Sequence, residues 1–84
     1  MLGKLKFFSP KDKYGFIVTE ADNQDIFVHY DDLHKASITD DLLLRFKDSS
    51  LTLGLSFCIF EYENKQGVVK RKAVDIKLLN VDTV

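Results

Sequence analysis

Ring side chains recur at every second residue in two short segments, Tyr14-Gly15-Phe16-Ile17 and Ile26-Phe27-Val28-His29-Tyr30. Side chains on a strand alternate between its faces. Tyr14 and Phe16 therefore share one face, and Gly15 and Ile17 the other. Phe27 and His29 likewise share a face, with Ile26, Val28 and Tyr30 opposite. Two neighbouring strands that each offer two rings to one face make a stacking platform. Unpaired nucleobases suit such a platform, because every base has a π-face and stacking on an aromatic side chain contributes about 1–3 kcal/mol per base. For any single phenylalanine, burial in a core is the better reading. The set as a whole weighs the other way. Ile17, Ile26 and Val28 supply an aliphatic opposite face able to fill an interior, and Lys6 and Lys13 stand close to the rings with charge for phosphates. His29 on Phe27's face suits a ring that stacks on or donates to a base.

Other chemistry finds little support. Ser9, Ser37, Ser49, Ser50 and Ser56 have no nucleophile signature around them. Cys58, the single cysteine, lies in an apolar run where a small buried hydrophobe is expected. It has no intramolecular disulfide partner, and two histidines with one cysteine are a poor zinc inventory. The acid pairs Asp31-Asp32 and Asp40-Asp41 read as a solvated loop or a helix start rather than paired acid–base groups. Asp31, Asp32 and His34 lack the glycine-containing pattern of a calcium loop. Lys70-Arg71-Lys72 reads equally as an edge-strand charge run that blocks unwanted pairing or as a rim that contacts phosphates.

The elements that must hold these residues are mostly strands. Lys4 to Phe8 opens with alternation, Leu5 against Lys4 and Lys6. Phe7 falls on Leu5's parity and Phe8 on that of the lysines, so the pattern breaks where two aromatics adjoin. Ser9-Pro10-Lys11-Asp12 carries turn chemistry. Lys13–Val18 and Ile26–Tyr30 are the second and third strands of a meander, separated by the polar turn Ala21–Asp25. Asp40–Lys47 has acids first and bases last, as the helix dipole prefers, with Thr39 or Asp40 as cap. Leu51–Tyr62 is a β-rich fourth strand. Glu63–Gly67 is a hairpin turn, with glycine where positive φ costs little. The fifth strand runs from Val68 to about Leu79. Five strands in so short a chain predict a closed or nearly closed barrel, which removes exposed edges.

At 84 residues, 45% apolar and 30% charged, there is one small core and no room for a cofactor domain. Folding at this size buries only about 60–65% of the chain's surface. The net charge of −1 is spread unevenly: +3 over residues 1–18, −6 over 19–44 and +2 over 45–84. That argues against coating nucleic acid by bulk charge while allowing a local basic patch. Apolar runs fall far short of the ~20 residues that span a bilayer. Charge from Lys4 onward gives no secretory signal. The expectation is a cytoplasmic protein without metal or cofactor.

Three blocks together resemble a known family. Gly3-Lys4-Leu5-Lys6-Phe7-Phe8, Tyr14-Gly15-Phe16-Ile17 and Asp25-Ile26-Phe27-Val28-His29-Tyr30 look like the cold-shock domain, the latter two like its first and second ribonucleoprotein motifs. The spacing between blocks matches without a forced gap, and Ala73-Val74-Asp75-Ile76 is similar to the closing strand. The resemblance is dense over residues 3–30 and sparse over 31–72. It implies an all-β, five-stranded antiparallel barrel of the oligonucleotide-binding (OB) type, here with a short helical or loop insert between strands three and four. It implies binding of single-stranded RNA or DNA, and a face that carries over to Lys6, Phe7, Phe8, Tyr14, Phe16, Asp25, Phe27, His29 and Tyr30. The family usually has tryptophan at Phe7's position, and lysine–glycine where this chain has Asp12-Lys13. The stretch from His34 to Ser50 is longer than in compact bacterial members, and Phe46 is the nearest counterpart there to the family's loop aromatic.

Together these readings predict one domain over residues 2–81 that binds single strands by stacking, with no catalysis. Lys4, Lys6, Lys11 and Lys13 supply the backbone attraction, and the resemblance suggests an RNA-chaperone or gene-expression role. The rival is a barrel that serves as a protein-interaction module. Its leucine-bearing insert, residues 38–50, would contact a protein partner or a second copy of the chain.

Overall fold

The computed structural model describes residues 1–48 and 51–83. Its elements are β1 (Leu2–Ser9), β2 (Tyr14–Thr19), β3 (Asp25–His29), α1 (Tyr30–Lys35), α2 (Asp40–Lys47), β4 (Leu51–Glu63) and β5 (Val69–Thr83). The strands close into a barrel in the order β1-β2-β3-β5-β4. Four of its five junctions are antiparallel. The closing junction, β3 with β5, is parallel and consists of a single pair, Phe27 with Lys72.

Alternation builds the interior. Ile17, Ile26, Val28, Leu53, Leu55, Phe57 and Ala73 point inward and are almost fully buried. In β1 the alternation is broken by a bulge. Leu5 pairs with Ile17, but the next pair is Phe7 with Phe16. One extra residue inverts the side-chain sense of all that follows. Lys6 and Phe7 both face outward, and Phe8 turns inward beside Leu5 at 4% exposure. At the same place β2 must come very close to β1. A Cβ on Gly15 would stand 2.3 Å from the carbonyl oxygen of Phe7, so no other residue fits there without moving the strands.

The insert between β3 and β4 holds two helices where the sequence predicts one. The helix over Asp40–Lys47 forms as expected, capped by Thr39, whose hydroxyl accepts from the Leu42 N–H at 3.3 Å. Leu43 and Ile38 are buried in the core, and Leu42 and Phe46 pack against it. The segment from Tyr30 to Lys35, whose first residue the sequence assigns to a strand, is the short helix α1. Its cap is His29, whose Nδ1 accepts from the Asp31 N–H at 3.1 Å. Acids at Asp31 and Asp32 and bases at His34 and Lys35 complement its dipole, and Leu33 anchors it in the core. Ser49 and Ser50, the end of the expected insert, lie outside the described residues.

β4 and β5 run longer than the barrel needs. β5 reaches Thr83, which pairs with Leu51, beyond its expected end at about Leu79. At the other end the two strands continue as a ribbon to the turn at Gly67, whose φ of 78° is the left-handed conformation expected of it. Cys58 is exposed, against expectation. It has the outward parity of β4, between Phe57 and Ile59, and apolar sequence neighbours do not bury a residue that faces away from them.

Candidate nucleic-acid interface

Cross-strand pairing assembles the rings on the outer surface of the barrel. Phe7 pairs with Phe16, Phe16 with Phe27, Phe27 with Lys72 and Lys72 with Phe60. Directly paired residues share a face, so these five side chains form one row across all five strands. A second, shorter row places Tyr14 opposite His29. The rings of Tyr14 and Phe27 are stacked with centroids 5.5 Å apart, and Phe16 meets each of them edge-on at 5.7 and 6.2 Å. Phe7 lies 6.0 Å from Tyr14 and 6.2 Å from Phe16. Tyr14, Phe16 and Phe27 pack on one another and, like His29, are half-buried, and Phe7 is 44% exposed. The rings thus hold each other in place and leave faces toward solvent.

His29 is oriented from behind. A nitrogen that accepts the Asp31 N–H carries no proton, so in the neutral ring the hydrogen is on Nε2. That leaves a donor on the ring atom not tied to α1. Charge at the rim is more restrained. Lys6 Nζ is 3.1 and 3.2 Å from the two carboxylate oxygens of Asp25, an exposed pair that neutralises one of the expected phosphate contacts. Lys13 is exposed, in a left-handed conformation (φ 59°), and closes the turn just before Tyr14. Lys72 extends its Nζ to 5.8 Å from the centre of the Phe60 ring, a cation–π contact.

The match to protein-family models decides what this surface belongs to: the 'Cold-shock' DNA-binding domain, over residues 1–79. The chain belongs to the cold-shock domain family. Searches of curated proteins and of solved structures found no match. Membership makes the chain a nucleic-acid-binding protein, of a family whose domain is not enzymatic. Among the described residues, no helix is long and apolar enough to cross a membrane.

Within this cold-shock domain the expected binding residues divide. Phe7, Tyr14, Phe16, Phe27 and His29 come together on the outer face, with Lys6, Asp25 and Lys13 at its border. Lys4 also points outward, but it sits further along β1 between Val18 and Gly54, away from the ring row. Two expectations are corrected. Phe8 is a core residue, because the bulge at Lys6 reverses its side. Tyr30 is not beside Phe27 but opens α1, where its ring stacks on Phe8 at 6.0 Å and its hydroxyl donates to Asp40 at 2.5 Å. That hydrogen bond raises the Tyr30 pKa above its ordinary value. It also lowers that of Asp40, which the His34 ring further holds down from 3.0 Å.

Phe60 and Tyr62 belong to the same outer surface but are not among the expected site residues. Lys72 lies beside them, from the basic run that the sequence leaves open between edge charge and phosphate rim. Phe60 is 51% and Tyr62 37% exposed, and their rings lie nearly parallel with centroids 6.3 Å apart. The sequence carries a signal for them, a ring at every second residue as in Tyr14 and Phe16. Its setting in a long apolar strand makes it look like core. Phe46 is half-buried against the core and borders a groove next to Phe7 and Lys6.

Proposed function

We propose that this cold-shock domain binds single-stranded RNA or DNA by stacking unpaired bases on Phe7, Tyr14, Phe16 and Phe27. His29 contributes a ring face and the Nε2 donor. Binding is tolerant of sequence, involves no chemistry on the strand, and engages residues 2–81 as one unit. A protein that holds bases away from their complements acts as an RNA chaperone or regulator of gene expression inside the cell. The observation that carries this reading is the row of mutually supporting, solvent-facing rings across β1, β2 and β3. Burial of all four rings would have argued for core instead. A base inside a duplex is stacked and paired, so a ring platform discriminates against duplex.

The test is a titration of a short oligonucleotide, its complement and their duplex at one ionic strength. Tighter binding of the single strands is expected, and equal affinity for the duplex would overturn the reading. The rival, a protein-interaction module built on the insert, draws on one observation, the 57% exposure of Leu44 beside Pro10 and Tyr30. The other insert leucines, Leu42 and Leu43, are committed to core packing, which leaves that surface small.

A further inference from the structure

The platform ends on β3, but the ring row does not. Beyond Phe27 it continues through Lys72 to Phe60, and the next outward pair toward the turn is Tyr62 with Lys70. Directly paired residues share a face, so two rings and two lysines alternate on the outer side of the β4–β5 ribbon. Phe60 and Tyr62 are large apolar groups left open to solvent where β4 runs past the core, with Glu61 between them exposed on the opposite side. Core packing does not explain them. An open groove bordered by Phe27, His29, Tyr62, Phe60 and Lys72 makes this patch continuous with the platform. Asp31, Asp32 and Lys35 on α1 border the same groove, a wall of net negative charge. Lys72 borders it on the ribbon side, with Lys70 paired to Tyr62 next to it, so a backbone following the groove is favoured on the ribbon side.

We propose that the β4–β5 ribbon is a second stacking site for the same strand. It takes one or two further bases on Phe60 and Tyr62 and the adjoining phosphates on Lys72 and Lys70. This rests on the reading of β1–β3 as a single-strand platform and lengthens its site. It also gives the basic run Lys70-Arg71-Lys72 a divided role: Lys70 and Lys72 face the strand, while Arg71 pairs across the ribbon with Glu61 on the opposite side. Rings next to lysines are what single-strand grooves combine, base stacking with backbone attraction.

The test uses oligothymidylates of about four and about ten nucleotides, the lower end and the middle of the ~4–16 nucleotides covered by one barrel of this type. The double variant F60A/Y62A should bind the longer strand about tenfold or more weakly than the unaltered protein, and the shorter strand within about twofold. The variant K70A/K72A should flatten the slope of log affinity against log salt by about 1 for the longer strand only. F16A should weaken both lengths. All four altered ribbon side chains are at least partly solvent-exposed, so a thermal melt should show each ribbon variant folded. If F60A/Y62A binds both lengths like the unaltered protein while F16A does not, the ribbon is not a site and the platform stands. Equal losses at both lengths would make the ribbon part of one short site and overturn the extension. If F16A changes neither, the platform reading itself fails.

Discussion

The outer face of β1–β3 and the helical insert each gather aromatic rings and a histidine, and they use them in opposite ways. In the insert, Tyr30 and His34 are 4.3 Å apart, and both converge on the Asp40 carboxylate. Tyr30 also covers Phe8. Those rings have their polar atoms and one face committed within the protein, and they clamp α1 to α2. On the sheet, the ring contacts of Tyr14, Phe16 and Phe27 among the described residues are with each other and Phe7, and no side-chain hydrogen bond there ties the Tyr14 hydroxyl. The ring types are alike in the two regions, although the sheet rings come at every second residue and those of the insert are four apart on a helix. What separates a structural aromatic from one proposed to bind is whether its face and its polar atom are already occupied.

The adjacent residues Phe7 and Phe8 give the sharpest test of that contrast. Phe8→Ala empties a core position and should cost about 3–5 kcal/mol, a large part of the stability of a chain this size. Phe7→Ala should leave the denaturation midpoint close to that of the unaltered protein and weaken oligonucleotide binding instead. Similar losses of stability from both, measured by chemical denaturation, would break the comparison.

Second in size is the effect of Phe16→Ala or Phe27→Ala on binding. Each removes a ring from the centre of the row and should cost about 1–3 kcal/mol of affinity for a single strand, in a domain that still folds. Loss of folding without a separate binding defect would return these rings to the core.

The insert makes its own prediction, through pH. The pKa of Asp40 is lowered in the folded protein. Its contribution to stability is therefore present above the ordinary carboxylate range and lost as pH falls through the depressed folded-state value. Tyr30 is shifted upward, so its share holds below the ordinary tyrosine range and is lost as pH rises through the raised value. Melting temperatures of Asp40→Asn should show a weaker acid-side slope than the unaltered protein, with oligonucleotide affinity at neutral pH unchanged. A loss of affinity would mean that the clamp is part of the binding surface.

The smallest effect concerns rim charge. Asp25→Ala releases Lys6 from an exposed pair worth about 0–1 kcal/mol. Binding at low salt should tighten slightly, and the slope of log affinity against log salt, about −2 to −3 for three or four phosphates neutralised, should steepen by less than about 1. A weaker complex would show that the Asp25 carboxylate itself accepts a hydrogen bond from the strand.

The barrel and most of its outer ring face were legible in the sequence because period-two alternation states directly which residues share a side. Tyr14 with Phe16 and Phe27 with His29 fall where the pattern puts them. The failures occur where one residue changes the count. At Lys6 the bulge exchanges the faces of Phe7 and Phe8. The two phenylalanines are chemically the same, so nothing in their types marks which is inside. α1 was missed because six residues hold too little periodicity to announce a helix, although its acidic start and basic end resemble those of α2. Phe60 and Tyr62 were hidden by their setting, since apolar sequence neighbours look alike whether a ribbon lies over a core or extends past it.

The barrel closes between β3 and β5 through the one pair Phe27–Lys72, and that pair sits in the middle of the ring row. The weakest seam of the fold is thus the place where a bound strand would lie. A ligand that stacks on Phe27 and rests a phosphate on Lys72 bridges the seam and opposes its opening. Occupancy should then be readable without any probe on the nucleic acid: slowed amide hydrogen exchange along β3 and the facing part of β5, with α2 exchanging as before.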